Sequence, residues 1–167
     1  MRKKMFLFSL IAIMTGLVAC RTQKAAEVNV ISSATALHAG EWAEQEARTQ
    51  LAGKYWKLVD LSGELVATEP GRATEAHLIF HADENRAYGN GGCNTFRGTY
   101  SVMPGDSIHF SPMISTMKMC LEGMETENKL MQAFRQADHY RLDGDTLTLN
   151  EGGVSLARFK NELKTEE

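Results

Sequence analysis

Between Lys54 and Lys160 the chain is cut into short alternating segments by closely spaced turn signals, which restricts it to antiparallel β architecture. Tyr55, Lys57 and Val59 alternate against Trp56, Leu58 and Asp60, so a first strand is expected over 54–60, closed by Ser62-Gly63. Residues 65–67 read as a short return strand ahead of Pro70-Gly71. His77 to His81 is a compact strand, Asp83-Glu84-Asn85 a polar turn, and Arg86 to Tyr88 the start of another strand. The run Gly89-Asn90-Gly91-Gly92 is expected to break it. Asn94 to Met103 places Phe96, Gly98, Tyr100 and Val102 on one face and forms a hairpin with Ser107 to Phe110 across Pro104-Gly105-Asp106. Residues 139–142 and 146–150 flank Asp143-Gly144-Asp145 as a second hairpin, and Val154 to Lys160 is the last strand. One helix interrupts the series over 124–137, where Leu130, Met131, Phe134 and Ala137 recur at the helical period. The fold class expected is mainly β: a curved antiparallel partial β-barrel of about eight strands that curls to protect its edges, with an α-helix against its open side.

The N-terminus carries a different signal. Arg2, Lys3 and Lys4 precede a run from Met5 to Val18 broken only by Ser9, Thr15 and Gly16, which is the layout of a secretory leader. Leu17-Val18-Ala19-Cys20 resembles the lipobox of bacterial lipoproteins, in which the cysteine is acylated and the leader removed before it. An uncleaved membrane anchor is the alternative, but the run is 14 residues (5–18), short of the roughly 20 that a helix needs to span a bilayer. Residues 1–19 are thus expected to be a signal peptide and Cys20 the lipidated first residue, anchored in the cell envelope at an outer membrane facing the periplasm. Residues 20–52 read as a tether with a short helix near 41–51, 53–161 as the domain, and 162–167 as a charged tail.

Without the leader's three cations the mature chain keeps 15 of the 18 basic residues against 21 acids, a formal charge of −6. An acidic chain with no basic cluster is poorly suited to nucleic acid, which needs phosphate charges neutralised. Cys93 and Cys120, 27 positions apart, remain in a compartment that permits disulfides. A bridge between them is expected; two free thiols, one of them buried, are the other reading.

Gly92-Cys93-Asn94-Thr95-Phe96-Arg97-Gly98-Thr99-Tyr100 resembles the G-C-N-x-F-x-G-x-Y core of the META domain family of HslJ-like lipoproteins. Ser115-Thr116-Met117-Lys118-Met119-Cys120 resembles that family's S-T-x-M-x-C segment, with Lys118 where a small alanine is common. Residues 107–110, 140–149 and 156–159 look like its later strands, so the resemblance spans roughly 54–160. It implies a partly closed barrel with a packed helix, no attached catalytic mechanism, and an association with stress response, drug tolerance or virulence. The likeness of such domains to type III secretion pilotins implies a groove for a lipid or partner helix. On their own chemistry Gly92, Cys93, Asn94, Phe96, Gly98 and Tyr100 read as a fold signature: bends, a local backbone cap, two core aromatics and a crosslink.

Other chemistry is thinly supported. His77 and His81 share a strand face and could join His109 or His139 on a metal, but residues four apart in a strand stand about 13 Å apart. Met113, Met117 and Met119, with Met103 and Met124, form a thioether-rich patch that could take copper, or fill a core or partner surface. Ser111, Ser115 and Thr116 lack an activating motif, and the acids at 83–84 and 143–145 suit turns, so a hydrolase is the weakest alternative. The expectation is a monomeric, non-enzymatic domain with no cofactor, held to a membrane by its lipid. Its partners would be an envelope protein or an apolar ligand in the concave face.

Overall fold

The computed structural model describes residues 39–66 and 74–162. The expected leader, Cys20 and the expected tether up to residue 38 lie outside the described residues, as do Ala67 and the tail from 163. Residues 39–51 form helix α1. Its thin apolar face leaves Trp42 exposed and buries Leu51, whose carbonyl accepts the Trp56 indole N–H at 2.9 Å. Gly53, at φ 71°, turns the chain and donates its N–H to the Phe80 carbonyl at 3.1 Å.

Among the described residues ten strands follow: β1 (Trp56–Leu61), β2 (Glu64–Leu65), β3 (His77–His81), β4 (Arg86–Asn90), β5 (Thr95–Met103), β6 (Ser107–Phe110), β7 (Ile114–Ser115), β8 (His139–Asp143), β9 (Thr146–Glu151) and β10 (Val154–Asn161). Helix α2 (Met124–Gln136) stands between β7 and β8. Every pairing is antiparallel, and the order β1-β3-β4-β5-β6-β8-β9-β10 returns to β1 through the β10–β1 ladder, making an eight-strand barrel. β2 and β7 are two-residue additions on β1 and β5. The β6–β8 seam is the thinnest, with one register pair, Ser107↔His139, flanked by Ile108 N–H to the Asp138 carbonyl and Tyr140 N–H to the Asp106 carbonyl.

Period-two alternation explains the core. Phe96, Tyr100 and Val102 of β5 point inward with Leu78 and Phe80 of β3 and Leu147 and Leu149 of β9. The inward face of α2 supplies Leu130, Ala133 and Phe134, and the Phe134 ring lies 5.2 Å from Phe96 and 4.9 Å from Phe110. Trp56, Phe80, Phe134 and Phe159 are fully buried, so the barrel is packed by its own side chains.

Three elements depart from expectation. β4 does not break at Tyr88 but continues through Gly89 and Asn90, pairing with His77 and Leu78. A Cβ on Gly89 would lie 2.0 Å from the His77 carbonyl oxygen, so this glycine permits close strand approach. β7 is an element that alternation did not reveal, and among the described residues the return strand after Gly63 is Glu64–Leu65, starting one residue earlier than expected.

Candidate functional site: a pinned apolar loop

The G-C-N motif lies between β4 and β5 and holds the segment from Ser111 to Gly123. The Asn90 carboxamide oxygen accepts the Gly92 N–H at 2.7 Å, and Gly91 N–H donates to the Asn94 carbonyl at 2.8 Å. Gly92, at φ 112°, sits back to back with Gly123, at φ 84°; a Cβ on Gly123 would fall 2.3 Å from the Gly92 oxygen. Gly123 is also the N-cap of α2, so motif and helix start are fixed together. Cys93 and Cys120 form the disulfide, with Cα atoms 5.9 Å apart.

Asn94 is 3% exposed and works at long range, not as the local backbone cap its position after a turn suggests. Its Oδ1 accepts the Lys118 N–H at 2.7 Å and the Thr116 hydroxyl at 2.8 Å, and its Nδ2 donates to the Lys118 carbonyl at 3.2 Å. The carboxamide has the same donor and acceptor as a peptide group, so it extends the β5–β7 ladder by one step. Its own N–H donates to Glu127 Oε2 of α2 at 2.7 Å, which accounts for a carboxylate buried in that helix.

What this apparatus holds is apolar and faces water. Met117 is 99% exposed, Met119 95% and Leu121 105%, and Ile114, earlier on the same segment, 65%. Large apolar side chains in solvent next to one another on an ordered segment mark an interaction surface more often than a structural need. The methionines of the sequence patch are separated: Met113 is partly buried, its sulfur against Gly98, and Met103 lies at the far end of β5. The remaining signature residues have the packing roles expected of them: Phe96 and Tyr100 are buried, and Gly98 leaves room for Met113.

The other sequence candidates are engaged elsewhere. His77 stacks on Tyr55 at 4.5 Å, His81 Nε2 is 3.0 Å from the Tyr88 hydroxyl, and His139 Nδ1 is 2.9 Å from Asp138. Among the described residues no group of three or more His, Cys, Asp or Glu is placed to hold a metal ion. The Ser111 hydroxyl accepts the Thr99 N–H at 2.9 Å.

A network absent from the sequence reading ties the β1–β10 seam. Tyr55 donates its hydroxyl to Glu75 at 2.7 Å, and the Lys57 ammonium bridges Glu75 at 2.9 Å and Glu162 at 3.1 Å. Burial, with the bond to Glu75, pushes the Tyr55 phenol well above its ordinary value. Burial opposes ionisation of Glu75, yet the bonds from Lys57 and Tyr55 outweigh it and hold the carboxyl below the usual range. Farther along β1, Asp60 is 3% exposed and accepts from Arg158 at 3.1 Å and from the Gly63 N–H at 3.1 Å.

The model of the META domain matches residues 49–163. The chain belongs to the META domain family. Three solved structures resemble it. One, a protein determined by NMR, is 18% identical with a TM-score of 0.54, covering 68% of this chain and 93% of its own. A second NMR structure, from Burkholderia xenovorans, is 18% identical with a TM-score of 0.55, covering 72% and 89%. A DUF4847 family protein from Bacteroides vulgatus is 19% identical with a TM-score of 0.49, covering 68% and 96%. The first two share the fold. No curated protein matches the chain. In the META domain the G-C-N motif and the S-T-x-M-x-C segment meet as one unit, joined by the disulfide and Asn94. Among the described residues no helix is long and apolar enough to cross a membrane.

Proposed function

We propose that this META-domain protein is a non-enzymatic lipoprotein of the cell envelope. It is anchored through acylated Cys20 at the outer membrane, faces the periplasm, and binds an envelope protein partner in a stress-response or drug-tolerance setting. The observation that carries this reading is Met117, Met119 and Leu121 standing in solvent on a segment fixed by a disulfide and by Asn94. Pre-ordering lowers the entropy a surface must lose on binding, and methionine adapts to the shape it meets. The packed interior favours contact on the outer surface over a ligand in the concave face.

A photo-crosslinking residue placed at Met119 in the full chain, expressed in its own envelope, tests the reading. Val154, 67% exposed on β10, serves as the comparison position. Specific adducts are expected from position 119, reduced by M117S, and none from position 154. Equal yields from the two positions would remove the docking role. Mass spectrometry of the same material should find acylated Cys20 as the first residue; an intact Met1 terminus would remove the anchor.

A further inference from the structure

The pinned segment is also an unfinished sheet edge. Its ladder with β5 fixes which backbone groups face which way. Ser111 N–H donates to the Thr99 carbonyl, Thr116 N–H to the Thr95 carbonyl, and Lys118 N–H to the Asn94 side chain, so these residues turn their amides toward β5. Strand alternation therefore turns the N–H and C=O groups of Ser115 and Met117 away from it. Among the described residues β7 pairs with β5 alone. Natural sheets blunt such edges with charge, proline or a bulge. Here Pro112 and the register shift between Phe110 and Ile114 lie upstream, and from Met113 to Leu121 only Lys118 is charged.

The charge at this edge is local and opposite to the rest. The mature chain carries −6, yet Arg97, paired across from Ile114, and Lys118, two steps beyond Thr116, are exposed cations that form no ion pair among the described residues. Glu122 is the one acid on the segment and stands beyond Cys120. Ile114, Thr116 and Lys118 share one side of the extended segment, and Ser115, Met117 and Met119 the other.

We propose that the partner docks by β-strand addition: an extended polypeptide segment pairs antiparallel with the backbone of Ser115 and Met117. Its apolar side chains cover Met117 and Met119, and its acidic side chains face Arg97 and Lys118. The mode rests on the docking role proposed for this loop. Main-chain bonds supply affinity in strand addition, and alternate side chains supply selectivity.

The probe is a synthetic peptide of alternating valine and glutamate, set against alternating valine and lysine and against a proline-interrupted scramble. Each is titrated into the intact chain purified in detergent. Amide exchange is followed by NMR. The valine–glutamate peptide is expected to slow exchange at Ser115 and Met117 by about tenfold or more, with the β10–β1 amides unchanged. S115P removes an amide that does not serve the β5 ladder, so it should keep the fold and abolish this protection. M117S/M119S should weaken binding through side-chain loss. Binding lost in M117S/M119S but kept in S115P would overturn strand addition while leaving the docking role intact. No binding of the valine–glutamate peptide, or binding with both amides still exchanging, overturns strand addition too. Crosslinks from position 119 that M117S leaves unchanged defeat the docking role itself. Protection of the loop by phosphatidylethanolamine–phosphatidylglycerol vesicles, with no effect of any peptide, would assign it to the bilayer and overturn the proposal.

Discussion

The barrel is closed in two different ways on its two sides. Where β10 meets β1, backbone pairing runs from Trp56↔Asn161 to Leu61↔Ala157 and is reinforced by Lys57, Glu75 and Glu162 outside. Where β6 meets β8 a single register pair spans the gap, and the chain beyond β6 is secured instead by a covalent bond and one carboxamide. The first seam is held by many small interactions and presents ordinary polar surface. The second is held by that pair and its flanking backbone bonds, while the segment that follows β6, pinned to the G-C-N motif and paired with β5, leaves an edge with apolar side chains in water. The contrast is between a seam that needs its interactions for closure and a pinned edge whose exposed side chains closure does not require, and the docking proposal rests on that second feature.

The largest effect expected is from the residue that fills the space beneath the thin seam. Phe134→Ala empties a site lined by Phe96 and Phe110 and should cost about 3–5 kcal/mol in denaturant unfolding. If the cost is under about 1 kcal/mol, α2 is not part of the core and the two seams do not depend on it differently.

Removing the bridge comes next. Replacing Cys93 and Cys120 by alanine should lower stability by about 3.5 kcal/mol on the loop-entropy estimate, with strain and residual structure reducing the figure. Amide exchange should accelerate across 115–121 and stay unchanged at β1 and β10, sharpening the division. Uniform acceleration would show one cooperative unit. Asn94→Ala, which strands the Lys118 N–H and C=O, should cost about 2 kcal/mol and loosen the same residues with the disulfide intact.

Much of this division was legible in the sequence. The strands of the closed side announce themselves through apolar residues at every second position, as in Leu147 and Leu149 of β9 or Trp56 and Leu58 of β1. The motif cysteines and the apolar face of α2 were readable for the same kind of reason. The edge was not. Ile114, Met117, Met119 and Leu121 are apolar letters whose exposure depends on where Asn94 and the bridge place them, and no local rule states that. Gly89 misled because a glycine marks both a break and a close approach, and only the His77 carbonyl beside it decides. Tyr55, Glu75 and Glu162 lie too far apart in sequence to be seen as one network.

That network gives the closed side a pH signature. Glu75 is held below the ordinary carboxyl value of 4.5, so its contribution is complete above that pH and disappears as pH falls through its lowered value. Lys57 is shifted upward by its bonds to Glu75 and Glu162, so its contribution is complete below its ordinary 10.5 and is lost as pH rises through the raised value. Glu75→Gln should flatten the acid limb of the stability profile and the alkaline limb in part. An unchanged acid limb would place the seam's strength in its backbone alone.

The smallest effect tests the open side hardest. M117S/M119S removes two side chains that touch almost nothing, so folding stability should stay within about 0.5 kcal/mol of the native chain. A loss above about 1 kcal/mol would mean that the methionines are packed in solution, and the apolar edge would then be a piece of core. A neutral result has the opposite consequence. Asn94, the disulfide and the paired glycines at 92 and 123 would then be holding in place side chains to which the fold is indifferent. Those same groups fix the start of α2 through Gly123 and Glu127, so what the barrel leaves unexplained, and the docking proposal accounts for, is the exposure of the methionines and not the pinning itself.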